Sequence, residues 1–148
     1  MKLLAVFFAP DPNTKKADSA LLVLRLWLGL AIFFNHGLDK LMHFSDKSGK
    51  FPDVIGIGST ASLAFAVFAE VFCGAFVTLG LVTRLAALNL AITMLVAFAK
   101  VHQWKLTGEH SGELAFLYLA GFVTLFIAGP GRFSADNALF KKSTKLPS

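Results

Sequence analysis

The sequence predicts an all-α fold: a polytopic membrane protein built as a four-transmembrane-helix bundle. Three observations carry this. Of 148 residues, 55% are hydrophobic and only 16% charged, against about 25% charged in soluble domains, and the mean hydropathy is +0.66. The basic residues sit mostly at the ends of apolar runs, where they read as membrane anchors. Residues 61–82, ASLAFAVFAEVFCGAFVTLGLV, carry one charge, Glu70. At about 1.5 Å per residue they make roughly 33 Å of helix, enough to cross a hydrocarbon core of about 30 Å. A carboxylate at the middle of such a helix has to face protein, a partner or a buried site.

The elements follow in order. Residues 3–9 are apolar, but Pro10 and Pro12 stand where a signal peptide would need small residues, so 1–18 read as an interfacial or disordered tail. Span 1 covers 19–42. The loop 44–60 holds Gly49, Pro52, Gly56 and Gly58, which makes it irregular, and it is apolar enough to pack on the end of the bundle. Span 2 is the run holding Glu70. A very tight turn at 80–84 leads into span 3, residues 83–104. Span 4 covers 112–129 and is stopped by Gly129-Pro130-Gly131. The uncharged cores of spans 3 and 4, 85–99 and 114–129, are shorter than the roughly 17–25 residues of a spanning helix. Both helices are therefore expected to run past Lys100 and Glu113. Spans 2 and 4 are apolar all round, which excludes a soluble bundle with one apolar stripe per helix.

Charge sets the orientation. Lys2, Lys15, Lys16, Arg84, Arg132, Lys141, Lys142 and Lys145 fall on one side; Lys40, Lys47, Lys50, Lys100 and Lys105 fall on the other. The positive-inside rule then puts both termini in the cytoplasm. The domain reading is a cytoplasmic N-tail at 1–18, a transmembrane domain at 19–131 and a basic cytoplasmic C-tail at 132–148. The net charge of +5 comes with no nucleic-acid motif, and the single cysteine, Cys73, excludes an internal disulfide and dithiol chemistry.

Each span has one small or polar face. In span 1, Arg25 and His36 are eleven residues apart, about three turns, with Gly29 and Ile32 between them and Lys40 nearby. The matching stripes are Ser62, Ala66, Glu70, Cys73 and Gly74; then Asn89, Thr93, Val96 and Lys100; then Glu113, Leu117, Gly121 and Thr124. Arg25 and Glu70 are expected to pair, either as an ion pair that fixes helix register or as a proton or ligand site. All four histidines, His36, His43, His102 and His110, fall at the opposite end from the tails, with Asp39, Lys40, Lys100, Glu109 and Glu113 in the same layer. Three readings stand for this layer: interfacial solvated side chains, a quinone or small-molecule pocket with His36 and Glu113 as its deepest members, or metal or haem ligation. The last is least favoured, because no spacing such as HExxH is present.

The sequence resembles the DoxX family of small bacterial four-helix membrane proteins. The resemblance is carried in order by RLWLGLAIFFNHGLDKL at 25–41, AEVFCGAFVTLGLVTRLAA at 69–87, MLVAFAKVH at 94–102, GELAFLYL at 112–119 and GPGRFSAD at 129–136. The family-like positions are Arg25, Gly37, Lys40, Glu70, Gly74, Gly80, Arg84, His102, Glu113, Gly131, Ser134 and Asp136. The resemblance implies a protein of the bacterial inner membrane, often tied to redox chemistry, with relatives in thiosulfate:quinone oxidoreductase. The expected function is a membrane subunit that binds a quinone or similar lipophilic ligand and exchanges reducing equivalents with a soluble oxidoreductase partner. The expected proton-linked residues are Glu70, His36, His102 and Glu113, and the expected ligand contacts are Arg25, Lys40, Cys73 and Asn89. No metal site is expected, and quinone is favoured over haem as cofactor. The alternatives are a small-molecule carrier, alone or as a homo-oligomer, with Arg25–Glu70 as its site, and a scaffold that recruits a soluble enzyme through the basic C-tail.

Overall fold

The structure is a computed structural model, and it describes residues 14–140. The expectations for residues 1–13, and for Lys141, Lys142 and Lys145, lie outside the described residues. Helix α1 runs Thr14–Ile32, passes through a π-helical turn at Phe33–Gly37 and ends with Leu38–Met42. A one-turn helix, α2, follows at Phe44–Lys47. Helix α3 is Ser59–Val67, a π turn at Phe68–Cys73, and Gly74–Leu79; α4 is Thr83–Val96 with a π turn at Ala97–Val101; α5 is Glu113–Ala128; and α6 is Ala135–Phe140. No strand occurs among the described residues. Helices α1, α3 and α4 are long and apolar enough to cross a membrane, while α5 has 16 residues.

Helix α1 begins earlier than span 1 because residues 14–18 contain no helix breaker. The α3–α4 turn is as tight as the sequence requires. Gly80 takes the left-handed conformation (φ 71°), its N–H donates to Val77 O and the Leu81 N–H donates to Phe76 O, so the last carbonyls of α3 are satisfied. Helix α4 reaches one residue past Lys100, as expected. Helix α5 does not run past Glu113. The Ser111 hydroxyl accepts the Glu113 N–H, Gly112 packs against Phe98 and His102, and its N–H donates to Lys105 O at 2.7 Å. Those contacts hold 102–112 as a loop, and α5 is left at about 24 Å.

Small residues set the packing. A Cβ on Gly29 of α1 would stand 2.8 Å from the Gly74 carbonyl of α3, and one on Gly74 would stand 3.0 Å from Ile32. The two backbones meet there because neither carries a side chain. Ala86, Ala87 and Ala91 of α4 are buried in the same core, whose centre Ile32, Val77, Leu90, Phe122 and Leu125 fill. Large apolar side chains cover the outside; Trp27 is 76% exposed and Ile127 69%. In water that surface would be a severe liability, and in lipid it is the expected solvent contact.

Candidate functional site

The bundle has two polar constructions, one at each end. At the tail end, Arg25 is completely buried and its Nη2 donates to Phe133 O. Its guanidinium lies against Gly80. Asp136 accepts the Val82 N–H at 2.6 Å, the Thr83 N–H at 2.9 Å and the Thr83 hydroxyl at 2.9 Å, and its own N–H donates to Gly80 O. This capping holds Val82 in the left-handed region (φ 46°), which a β-branched residue otherwise avoids. Asp18 of α1 accepts the Arg132 N–H at 2.9 Å. Residues 131–136 thus lie clamped across the ends of α1, α3 and α4. Five family-like positions, Arg25, Gly80, Gly131, Ser134 and Asp136, meet in this clamp.

The second construction is at the loop end. Gly37 packs on the backbone of α3, where a Cβ would stand 3.0 Å from the Glu70 carbonyl carbon. That contact brings Lys40, one turn later, over the Glu70 side chain. Lys40 Nζ donates to Glu70 Oε2 at 2.7 Å, with Glu70 almost wholly buried. The expected Arg25–Glu70 pair is therefore not formed. Along the antiparallel α1–α3 seam, Arg25 is level with Gly80 and Gly37 with Glu70. Twelve residues of helix separate Arg25 from Gly37, about 18 Å of axis.

A cavity of about 400 Å³ opens beside this pair, between α3 and α4 and beneath the loop at 51–55. Phe51, Val54, Phe65, Ile92, Met94 and Val96 give it apolar walls, and Lys40, Ser62, Glu70, Asn89 and Thr93 add polar atoms. The π turns of α3 and α4 both contribute to the lining, and that of α1 supplies Gly37. Single π turns recur at functional sites, and nothing in the hydrophobic pattern marked these three.

The loop over the cavity is held by Asp53, which the sequence reading missed. Its carboxylate accepts the N–H groups of Gly56, Ile57 and Gly58 at 2.9–3.0 Å and the Ser62 hydroxyl at 3.1 Å. The signal was present as an Asp shortly ahead of two glycines and a helix start. The Gly58 N–H above all, together with the Ser62 hydroxyl and the other two amides, holds the Asp53 carboxyl below its ordinary value of 3.8. A carboxylate depressed on folding supports the loop above its unfolded pKa and withdraws that support as pH falls through the folded one. The amide NMR shifts of Gly56, Ile57 and Gly58 should accordingly titrate together, with a midpoint below 3.8.

The other expected site residues go elsewhere. Asn89 lines the cavity. Cys73 is buried in the central core. His36 is half-buried, edge-on to Tyr118 with ring centroids 5.8 Å apart, and does not line the cavity. The His102 ring nitrogen Nδ1 lies 2.9 Å from His110 O. Glu113, expected to be deep, is exposed at the first turn of α5 because the helix starts there. His43 lies at the surface, with its Nδ1 3.1 Å from Asp39 Oδ1. Among the described residues, no three His, Cys, Asp or Glu side chains converge as metal ligands would.

The family model for DoxX matches residues 20–103, from early α1 to the end of α4. The chain belongs to the DoxX family. The cavity's lining falls wholly inside the matched region of this DoxX protein, and the clamp segment at 131–136 falls outside it. With its apolar helices, that membership makes it a multi-pass membrane protein. It is 31% identical over 146 residues, 84% of each chain, to "Uncharacterized membrane protein Rv3486" of Mycobacterium tuberculosis. It is 33% identical over 130 residues, 86% of this chain and 92% of the relative, to "Putative oxidoreductase CatD" of Bacillus subtilis. No solved structure matches it.

Proposed function

We propose that this DoxX protein is a plasma-membrane subunit that binds a quinone or a similarly lipophilic molecule in the Lys40–Glu70 cavity and exchanges reducing equivalents with a soluble oxidoreductase. One observation carries the reading: an apolar cavity of about 400 Å³ containing a single ion pair. Such a site buries a hydrophobic body and orients it by a few convergent polar groups. The Lys40 ammonium can donate to a quinone carbonyl. The Glu70 carboxylate can accept a hydrogen bond from a quinol hydroxyl and take its proton. Two electrons and two protons separate quinone from quinol, and the partner subunit supplies or removes the electrons. The oxidoreductase name of the Bacillus subtilis relative points the same way.

The tails complete the proposal. Counting Lys2, Lys141, Lys142 and Lys145, the tail end carries the greater share of Lys and Arg, which favours a cytoplasmic position for both termini. Residues 1–18 and 132–148 then flank a transmembrane domain at 19–131, and the basic C-terminal sequence would attract an acidic soluble partner by its charge. The carrier alternative rested on an Arg25–Glu70 site, which is not formed.

The test is quinone binding to the purified full-length protein in nanodiscs. Lys40→Met and Glu70→Gln should each weaken binding by at least tenfold, while Lys145→Ala leaves it unchanged. Equal affinity in all three variants, or no quinone-dependent activity with any copurifying partner, overturns the proposal.

A further inference from the structure

We infer that the cavity is loaded sideways from the bilayer, and that its occupant is an amphiphile with one hydrogen-bonding head group and an apolar tail too long for the cavity to enclose. The inference rests on the ligand-binding reading of the same cavity and names how the ligand arrives and which class it belongs to.

The walls show where the cavity opens. Phe65 of α3 and Ile92 of α4 both line it, yet they are 63% and 54% exposed. Both stand on membrane-spanning helices, so the cavity wall runs continuously into the lipid-facing surface. Helix α5 contributes no lining residue, and α1 contributes only Lys40. The packing of α3 on α4 is concentrated at 68–79, below the level of Phe65, and the two helices part above it. Toward the loop end the lining is carried by a fixed loop rather than by the flanks of two helices. Phe51, Pro52, Val54 and Ile55 lie over the cavity, and the four hydrogen bonds to Asp53 fix the backbone that carries them.

The polar atoms show which way the head points. The Thr93 hydroxyl is taken by Asn89 O within its own helix, and the Ser62 hydroxyl is taken by Asp53. The Lys40 ammonium and the Glu70 carboxylate keep donors and acceptors beyond their mutual bond, so with the Asn89 amide they are the groups for a ligand. A volume of about 400 Å³ is near the low end of the roughly 300–1,000 Å³ of small-molecule sites. It holds a ring-sized head and the first part of a chain. The rest of a long tail has to leave between Phe65 and Ile92, where it meets lipid and loses no hydrophobic contact.

Two ligand series in nanodiscs test this, with concentrations expressed per lipid so that simple partitioning cancels. One is a set of naphthoquinones with no tail, a short isoprenoid tail and a tail several times longer than the cavity. The other carries the same tails on a redox-inactive phenol. Affinity of the unmodified protein should rise with the first part of the tail and then stay level however long the tail becomes. Loss of binding once the tail outgrows the cavity overturns the inference. Narrowing the opening with Phe65→Trp and Ile92→Trp should slow association of the long-tailed ligand at least tenfold more than that of the tailless one; equal slowing, or none, overturns it. If the double variant does not fold, the tail series on the unmodified protein decides. Phenols binding as well as quinones would remove the quinone assignment and leave sideways loading standing. Quinones binding only without tails would do the reverse, and no binding by either series overturns both.

Discussion

Lys40→Met should destabilise the protein by about 3–5 kcal/mol, the usual cost of removing one partner from a buried ion pair and leaving the other charge unpaired. The Glu70 side chain is 6% exposed and that of Lys40 18%, so little water reaches the carboxylate left behind. Glu70→Gln should cost less, since it leaves an amide in the bundle and a lysine that can still reach water. Replacing both, as Lys40→Met with Glu70→Met, should recover most of the loss, because an apolar pair of similar volume is often as stable as a buried salt bridge. Unfolding in mixed micelles measures each variant, and with Glu70→Met alone it closes the double-mutant cycle. The Lys40–Glu70 coupling should exceed about 2 kcal/mol, and the Arg25–Glu70 coupling should stay within about 0.5 kcal/mol, the range for residues that share no contact. A large Arg25–Glu70 coupling would contradict the arrangement of α1 on α3.

Gly80→Ala should be the most damaging change at the tail end. Two effects add. The residue lies at φ 71°, where a side chain costs roughly 1–2 kcal/mol. Its Cβ would also fall on the Arg25 guanidinium and 2.6 Å from Ser134 Cβ, an overpacking worth about 1–3 kcal/mol. Arg25 is fully buried and held by Phe133 O, so it has little room to give. Gly56→Ala is the matched control. It has φ 76° and no atom within 4 Å of the added Cβ, so only the conformational cost of about 1–2 kcal/mol should appear. Unfolding midpoints of the two variants separate the terms, and equal losses would show that the clamp does not restrict residue 80.

The spans were legible because lipid imposes a length and an all-round apolarity that a single chain displays in full. The tight turn was legible for a similar reason: Gly80 followed directly by Leu81, Val82, Thr83 and Arg84 leaves no room for anything longer. The shortness of α5 was misread, since the contacts that stop it, from Phe98, His102 and Lys105 to Gly112, come from another helix and a folded loop. Glu113 was placed too deep as a consequence. Of the expected site residues, Lys40, Glu70 and Asn89 come together in the cavity, and Arg25, His36, Cys73, His102 and Glu113 do not join them.

The sequence by itself determined that this is a bundle of apolar membrane helices and that Glu70 requires a buried polar partner. It could not name the partner. A helix of period 3.6 specifies which residues share a face, but not how far one helix slides along another. Tertiary packing decided that slide, through the close approaches of Gly29 to Gly74 and of Gly37 to Glu70. Those contacts carry Lys40 to Glu70 and leave Arg25 about 18 Å away along the helix axis to close the far end.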